Sequence, residues 1–465
     1  MILSPQQLTP EKVLDGLIAQ IKPVDFLQKS GLNTGKEKLK QKHYRITAVE
    51  EILTAARSNN WDICINNGFT YLYNGNYWPL LEGTDVEKFL GKAAHKLGID
   101  KFDAADYEFQ AKLHKQFLHD CTLTKPKPST DITLINLLNG TYEIGLNKQG
   151  LRPPRREDFI TYQLPFNYDP IATCPLFMQY LEVVQPDISR QHILAEFLAY
   201  LFIKPAALKL EKALLLYGTG ANGKSVFFEI VSAMLGGNIN MSNYSLQSLT
   251  NESGYQRAML ANKLVNYASE INGKLESATF KQLVSGEPVE ARLPYGNPFM
   301  LADYAKLIFN CNELPKDVEH TNAYFRRFLI VPFDITVPPE KQDKELPKKI
   351  IESELSGVFN WVLQGLERLL RQKNFTYSVA VEQQLNQYKK QSDSMQLFLE
   401  DEGYKSDLEV TMQLKELFAC YRIYCRDNGY FPASNKTFVD RLRAAGFETK
   451  RQNTGNIVFI KKDFL

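Results

Sequence analysis

The chain has 465 residues and a formal net charge of +2, from 55 lysines and arginines against 53 aspartates and glutamates. At about 150 residues per domain, this length predicts roughly two to four domains. A hydrophobic content of 44% is sufficient to build their cores. The small net charge excludes attraction of nucleic acid by the molecule as a whole, so a binding surface would require local clusters of basic residues.

The six cysteines form no Cys-x-x-Cys pair and have no histidine at zinc-site spacing, which indicates reduced thiols. No stretch reaches the ~20 apolar residues that cross a bilayer, and the amino terminus lacks the pattern of a secretory signal. We therefore expect a soluble, cytoplasmic protein without a membrane partner. Composition and chain breaks predict segments at residues 1–130, 131–188, 189–372, 373–394 and 395–465.

Residues 1–130 are predicted as an α+β region. Helical periodicity covers Leu14–Ile21, Val49–Ala56 and Val86–Gly98, and a hairpin is predicted over Phe69–Leu80. The tyrosines and tryptophan of that hairpin are expected to fill a sheet, because β-propensity alone explains them. We find neither zinc-ribbon spacing nor a paired-carboxylate primase motif here, so primer synthesis is not expected and the role of this region stays open.

Residues 131–188 are predicted as a β-rich segment that follows a proline-rich break at Lys125–Thr130. Asn139-Gly140 and Pro153-Pro154 supply the turns of an antiparallel meander. From Ser189 onward the apolar pattern becomes helical and leads into the next segment.

The stretch from Lys212 to Gly236 has the pattern of a strand, a glycine-rich loop and an amphipathic helix. The loop fits G-x-x-x-x-G-K-[ST], in which backbone N–H groups and a helix N-terminus hold a triphosphate. In this motif Lys224 neutralises the outer phosphates and Ser225 binds magnesium. The predicted nucleotide-binding residues are Gly218, Thr219, Gly220, Ala221, Asn222, Gly223, Lys224 and Ser225.

Three features follow the loop in the order that ATP cleavage requires: an acid, a polar sensor and a cation. Glu270 comes directly after an apolar run and would orient the attacking water. Asn312 ends the next strong strand and would hydrogen-bond the γ-phosphate, although both residues also suit a turn. Arg326 and Arg327 precede another buried strand, and one of them is suited to act as an arginine finger.

A hairpin is predicted within Phe280–Leu301, with its tip between Arg292 and Asn297. Arg292, Tyr295 and Asn297 at this tip, with Lys281 before it, would supply cations and an aromatic ring for single-stranded nucleic acid.

The segment 395–465 has the order helix, helix, hairpin, which is typical of a winged-helix unit. The helices are predicted over Val410–Gly429 and Asn435–Gly446. A structural cap that contacts other proteins is the alternative. Basic residues suited to DNA phosphates are Lys436, Arg441, Arg443, Lys450, Arg451, Lys461 and Lys462.

As an ordered set, these motifs resemble those of the superfamily III helicases, which are AAA+ ring motors, and within them the phage, plasmid and poxvirus primase-helicase branch. The resemblance rests on the phosphate loop, Ser269-Glu270, the sequence KQLVSGEPVEAR, Asn312 in NCNELP and the RRF that follows. It implies a multidomain α/β protein with an AAA+ P-loop motor core, an N-terminal α+β region and a C-terminal winged-helix-like domain.

The resemblance also implies a function, an ATP-dependent DNA helicase that replicates a phage, plasmid or other mobile element in the host cytoplasm. ATP and Mg2+ would be its cofactors, with Glu270 as the Walker B acid acting on the metal through water and Asn312 as the sensor. Arg326 or Arg327 would act on a neighbour's nucleotide in a homohexamer, and we favour Arg327. Ser269 stands where the family often has a second acid, so metal binding would rest on Ser225 and water.

Single-stranded and forked DNA are the expected partners, with a separate primase or polymerase as a further one. An initiator or loader that binds DNA under ATP control without unwinding it is the main alternative. A kinase of a small metabolite would explain the phosphate loop, but it would leave the hairpin, Asn312 and the basic tail without a role.

Overall fold

The computed structural model describes residues 10–32, 38–59, 61–66, 68–121, 132–145, 148–269, 271, 276–294, 296–315, 319–453 and 455–463. The chain is a mixed α/β, multidomain protein, and its largest sheet is parallel and five-stranded.

The first region packs helices around a three-stranded antiparallel sheet. The predicted hairpin over Phe69–Leu80 is present, and a further strand pairs with its first strand. Tyr71, Tyr73 and Trp78 are buried, as expected of residues that fill a sheet. The elements are α1 (Pro10–Gln20), α2 (Phe26–Ser30), α3 (Gln41–Ser58), β1 (Asp62–Asn66), β2 (Phe69–Tyr73), β3 (Leu80–Leu81), α4 (Gly83–Leu97), α5 (Lys101–Ala105) and α6 (Tyr107–Asp120).

The second region contains a three-stranded antiparallel meander, followed by two helices. Asn139-Gly140 lies at its first turn as predicted, but Pro153-Pro154 was wrongly predicted as a turn, because it follows the last strand, which ends at Arg152. Trp78 of the first region donates its indole N–H to the Arg156 carbonyl at 2.9 Å, so the two regions are in direct contact. The elements are β4 (Ile132–Leu137), β5 (Gly140–Gly145), β6 (Gln149–Arg152), a 3-10 turn (Arg156–Asp158), α7 (Pro175–Val184) and α8 (Ile188–Tyr200).

The central region contains the parallel sheet and the predicted hairpin. Its elements are β7 (Ala213–Tyr217), α9 (Lys224–Leu235), a 3-10 turn (Gly237–Ile239), β8 (Met241–Ser242), α10 (Leu246–Thr250), α11 (Tyr255–Ala258), β9 (Val265–Ala268), α12 (Ser277–Ser285), β10 (Val289–Arg292), β11 (Pro298–Leu301), β12 (Lys306–Cys311), α13 (Asn322–Phe325), β13 (Phe328–Pro332), a 3-10 turn (Pro339–Lys341), α14 (Leu346–Ser353) and α15 (Leu355–Gln372).

The strand order in the parallel sheet is β13-β7-β12-β9-β8. Strand β7 is an apolar run with Ala213, Leu214, Leu215 and Leu216 fully buried, as expected of a strand covered on both faces. Because all five strands run in the same direction, the residues that follow them emerge at one edge of the sheet. In doubly wound α/β sheets, that edge is where ligands bind.

The last region has the predicted order of helix, helix and hairpin, but one prediction was wrong. The helix predicted from Val410 begins at Leu414, because the preceding residues form a strand in which Met412 pairs with Val458. Helix α16 (Val379–Gln391) precedes this region and packs on the central sheet, where Tyr388 contacts Phe328 of β13. The elements of the last region are α17 (Ser394–Asp401), β14 (Tyr404–Gln413), α18 (Leu414–Asp427), α19 (Asn435–Ala444), β15 (Thr449–Gln452) and β16 (Gly455–Lys462). Across the described ranges, no helix has the length and apolar character needed to span a membrane.

Candidate functional site

The predicted phosphate loop connects the end of β7 to the first residue of α9. Two of its glycines are required by their surroundings. A Cβ on Gly218 would lie 2.2 Å from the Phe333 carbonyl oxygen, and Gly223 has a φ of 89°, which L side chains rarely adopt. The strand, loop and helix that the sequence predicted are therefore present, with the glycines at the positions where the backbone needs them.

Buried side chains fix the shape of the loop. Asn222 is 3% exposed and donates its Nδ2 to the Phe333 carbonyl at 2.9 Å, which ties the loop to the end of β13. Tyr180 of α7 donates its hydroxyl to the Gly223 carbonyl at 2.8 Å. Sequence reasoning missed Tyr180 and Phe333, because neither belongs to the motif and both come from distant parts of the chain.

Lys224 is enclosed by the loop, with a relative exposure of 7%. Its Nζ donates to the Gly218 carbonyl at 2.5 Å, the Thr219 carbonyl at 3.1 Å and Asn222 Oδ1 at 3.2 Å. Burial lowers the pKa of this ammonium, and Cys311 opposes the shift only in part. Because its hydrogen-bond partners are neutral, the buried cation would be stabilised by an anion.

Ser225 follows in the first turn of α9 with an exposed side chain, as a phosphate or metal ligand requires. Asn312 is exposed directly after β12, where the Gly218 N–H donates to the Cys311 carbonyl at 3.1 Å, so it emerges beside the loop. Ser269 is exposed after β9 at the same edge of the sheet. Glu270, the predicted acid, lies outside the described residues.

The two arginines lie at the opposite edge of the sheet, because they precede β13, whose Phe328 pairs with Ala213. Arg327 is 8% exposed and points into its own chain, where it donates to Ser285 Oγ at 3.1 Å and to the Ala323 carbonyl. Arg326 is exposed and pairs with Glu211 at 3.0 Å. This geometry favours Arg326 as the residue that can reach another molecule, the reverse of our preference from the sequence.

The predicted hairpin consists of β10 and β11, in which Arg292 pairs with Pro298. Arg292 and Asn297 are exposed near its tip, and the Arg292 Nε donates to the Gly296 carbonyl at 3.0 Å. Tyr295 lies outside the described residues. Lys281 does not extend from the hairpin: it lies on α12 and forms an ion pair with Glu319 at 2.8 Å.

The basic residues of the last region fall into two groups. Lys436, Lys450 and Arg451 are exposed and form no ion pair with any residue that the structure describes, and Arg443 is exposed and donates to Thr449. The others are neutralised locally, by the pairs Arg441 with Asp393, Lys461 with Asp407 and Lys462 with Glu402.

Residues 50–186 match a family model described as D5 N terminal like. A second model, described as a family of unknown function (DUF5906), matches residues 216–327. The second match covers the phosphate loop, Asn312 and both arginines. The D5 N-terminal-like match therefore precedes the DUF5906 match along the chain.

No curated protein matches the chain. Among solved structures, the A form apo structure of the NrS-1 C terminal region is similar over 88% of this chain and 98% of its own length, at 11% identity and a TM-score of 0.49. The apo structure of the NrS-1 C terminal region (305–718) is similar over 92% of this chain and 100% of its own, at 13% identity and a TM-score of 0.46.

Proposed function

We propose that this protein is an ATP-dependent DNA helicase that acts in the replication of a phage, plasmid or other mobile element. One observation carries the proposal: a phosphate loop encloses Lys224 at the sheet edge where Ser269 and Asn312 also emerge. The D5 N-terminal-like match supports a replication protein of this kind. A metabolite kinase would use the loop but would leave the exposed hairpin and the basic tail unexplained.

ATP and Mg2+ are the proposed ligands of this edge. Lys224 and the loop N–H groups would hold the phosphates, Ser225 would reach the metal, and Asn312 would hydrogen-bond the γ-phosphate. When bound, Mg2+ would neutralise part of the negative charge of the phosphates. Among the described residues, no group of three histidine, cysteine, aspartate or glutamate side chains is arranged to hold a metal ion. Ser225, the phosphates and water would therefore coordinate magnesium, and Glu270 would act through a water molecule. This arrangement suits Mg2+, which gives up its water ligands reluctantly.

The proposed assembly is a ring, most simply a homohexamer, in which one subunit holds the phosphates and the next completes the site. The length of β7 separates Arg326 from its own phosphate loop by roughly 13 to 16 Å, at ~3.3 Å per strand residue. An arginine so placed can approach only the nucleotide of a neighbour. Repeated head to tail, that contact closes a ring when the rotation between subunits allows it.

Single-stranded and forked DNA are the proposed partners, together with a primase or polymerase on a separate chain. Arg292 and Asn297, with Tyr295 between them in the sequence, would contact one strand at the hairpin tip. Lys436, Arg443, Lys450 and Arg451 would bind phosphates through the winged-helix-like tail.

The test is DNA-stimulated ATP hydrolysis and unwinding of a forked duplex by the full chain. Lys224→Ala removes the cation of the loop, so we expect hydrolysis and unwinding to be lost while the melting temperature stays within a few degrees of the native value. Lys344→Ala, which removes an exposed lysine outside the site, is the matched control. Hydrolysis at the wild-type rate by Lys224→Ala would refute the assignment of the loop.

The exposed basic tail favours a second candidate, a replication initiator or loader that binds DNA under ATP control. Such a protein would hydrolyse ATP and bind the fork without separating its strands. Strand displacement therefore separates the two functions, provided that ATP hydrolysis is measured in the same reactions.

A further inference from the structure

One face of β2 contacts the central region at two points, the β10–β11 hairpin and the segment that precedes β9. Phe69 meets Phe299 of β11 edge to face, with ring centroids 6.2 Å apart. The Tyr71 hydroxyl donates to Asn262 Oδ1 at 2.9 Å. Residues 69 and 71 are two apart in a strand and so point to the same side, which makes these contacts a single interface.

Phe69 packs against residues of the hairpin as well as against its own sheet. It packs against the buried cluster that includes Val289, Ala291 and Leu301 of the hairpin strands. It also packs against the small aromatic cluster of Tyr71, Tyr73 and Trp78. This ring therefore joins the sheet of the first region to strand β11 of the hairpin.

Asn262 connects the second contact to the same hairpin. It has a φ of 60°, a conformation that asparagine tolerates, and it follows Ala261, which bridges to Tyr304. The Tyr304 hydroxyl donates to the Glu287 carbonyl, two residues before β10, at 2.7 Å, and the Gln282 carbonyl of α12 lies 3.1 Å away as an alternative acceptor. The Asn262 Nδ2 has no hydrogen-bond partner within the described ranges. Among these residues, the bond from the Tyr71 hydroxyl to Oδ1 is therefore the hydrogen bond that holds the Asn262 side chain.

Beside these contacts lies a cavity of about 340 Å3, with Phe69, Tyr71, Asn262 and Leu301 in its wall. The space between β2 and the base of the hairpin is therefore incompletely filled. The Phe69–Phe299 contact and the Tyr71–Asn262 hydrogen bond therefore lie beside an open space. Such an arrangement can shift between positions at small cost, since few atoms must be displaced.

We propose that Phe69 and Tyr71 are positioning residues that hold the β10–β11 hairpin in the orientation that engages DNA, which gives the first region a role in the motor. The inference rests on the proposed contact between the hairpin and DNA. The phosphate loop lies at the opposite edge of the sheet from Tyr304 and Asn262, so nucleotide binding does not depend on the two contacts.

Hydrogen exchange of the full chain without nucleotide or DNA tests the physical half of the proposal. Phe69→Ala and Tyr71→Phe each remove one contact, and we expect amide exchange in residues 289–301 to become roughly threefold faster or more. Tyr73→Phe is the matched control on the same face of β2, because the Tyr73 hydroxyl donates to the Gly75 carbonyl within the first region and not to the central region. Hairpin exchange equal to wild type in both variants would overturn the proposal.

ATP hydrolysis with and without single-stranded DNA tests the functional half. We expect the ratio of DNA-stimulated to basal rate to fall at least threefold in Phe69→Ala and Tyr71→Phe, with the basal rate unchanged. A ratio that is unchanged or increased overturns the positioning role. If the wild-type protein hydrolyses no ATP, the proposed function fails, and hydrogen exchange still decides whether β2 holds the hairpin.

Discussion

Gly218→Ala is predicted to damage the phosphate loop much more than Gly220→Ala, although both glycines lie in the same short loop. A Cβ at position 218 would be 2.2 Å from the Phe333 carbonyl oxygen and 2.6 Å from Asn222 Nδ2, whereas at position 220 nothing lies within 4 Å. Ordinary contacts begin near 3.4 Å, so the two backbones must separate by 3.4 − 2.2 = 1.2 Å.

The free-energy cost of this separation depends on how closely the atoms around Gly218 are packed. Overpacking of a close-packed site costs about 1 to 3 kcal/mol, equivalent to roughly a fivefold to 150-fold loss of the native loop. The displaced carbonyl is also the acceptor of the Asn222 side chain, so the contact that ties the loop to β13 is weakened with it. At position 220 we expect no loss, because alanine meets no atom there.

Titration with a fluorescent ATP analogue measures the difference. We expect Gly218→Ala to bind at least fivefold more weakly than wild type and Gly220→Ala to bind within twofold of it. Melting temperatures of both variants show whether the loss is confined to the site. Wild-type affinity in Gly218→Ala, or an equal loss in both variants, would refute the reasoning from loop geometry.

Three further predictions concern other parts of the chain. Asn222→Ala leaves the Phe333 carbonyl without its side-chain donor, so nucleotide affinity measured by the same titration is expected to fall roughly tenfold. Burial lowers the pKa of Lys306 from 10.5 to about 7, so the unfolded chain binds more protons between these values and stability rises with pH above 7. The melting temperature should accordingly rise more between pH 7 and about pH 9 in wild type than in Lys306→Met, and equal slopes would contradict this. Charge reversal at Lys450 and Arg451 should weaken binding to duplex DNA and reduce its salt dependence, as measured by fluorescence anisotropy at several salt concentrations, and an unchanged salt slope would exclude them from the interface.

The local parts of the fold were predictable from the sequence because local patterns determine them. The phosphate loop, the turn between β4 and β5 and the hairpin of β10 and β11 each have turn residues between segments of recognisable periodicity. Strand β14 was missed, because most of its residues are exposed and the buried and polar positions do not alternate. Its pairing with β16 is a tertiary contact that no local pattern reports.

The long-range contacts of the candidate site could not be predicted from the sequence, because they too are tertiary contacts. Two adjacent arginines look alike in a sequence, yet Arg327 is buried against Ser285 while Arg326 is exposed. Lys281 was predicted as a DNA contact, and its partner Glu319 is 38 residues away. Whether a charged side chain is available to a ligand depends on how far the fold buries it as well as on the opposite charge beside it: Arg326 also has an ion pair, but its side chain is 56% exposed, against 27% for Lys281.

The central claim is that each nucleotide is held by one subunit and completed by Arg326 of the next, and a mixing experiment tests it most directly. Lys224→Ala and Arg326→Ala are each expected to be inactive in ATP hydrolysis. A mixed ring, however, contains subunit interfaces where an intact Lys224 of one subunit faces an intact Arg326 of the next. In an equal mixture that has exchanged subunits, such interfaces are roughly a quarter of the total, so about a quarter of the wild-type rate should return. No recovery in rings shown to contain both variants would contradict the shared site.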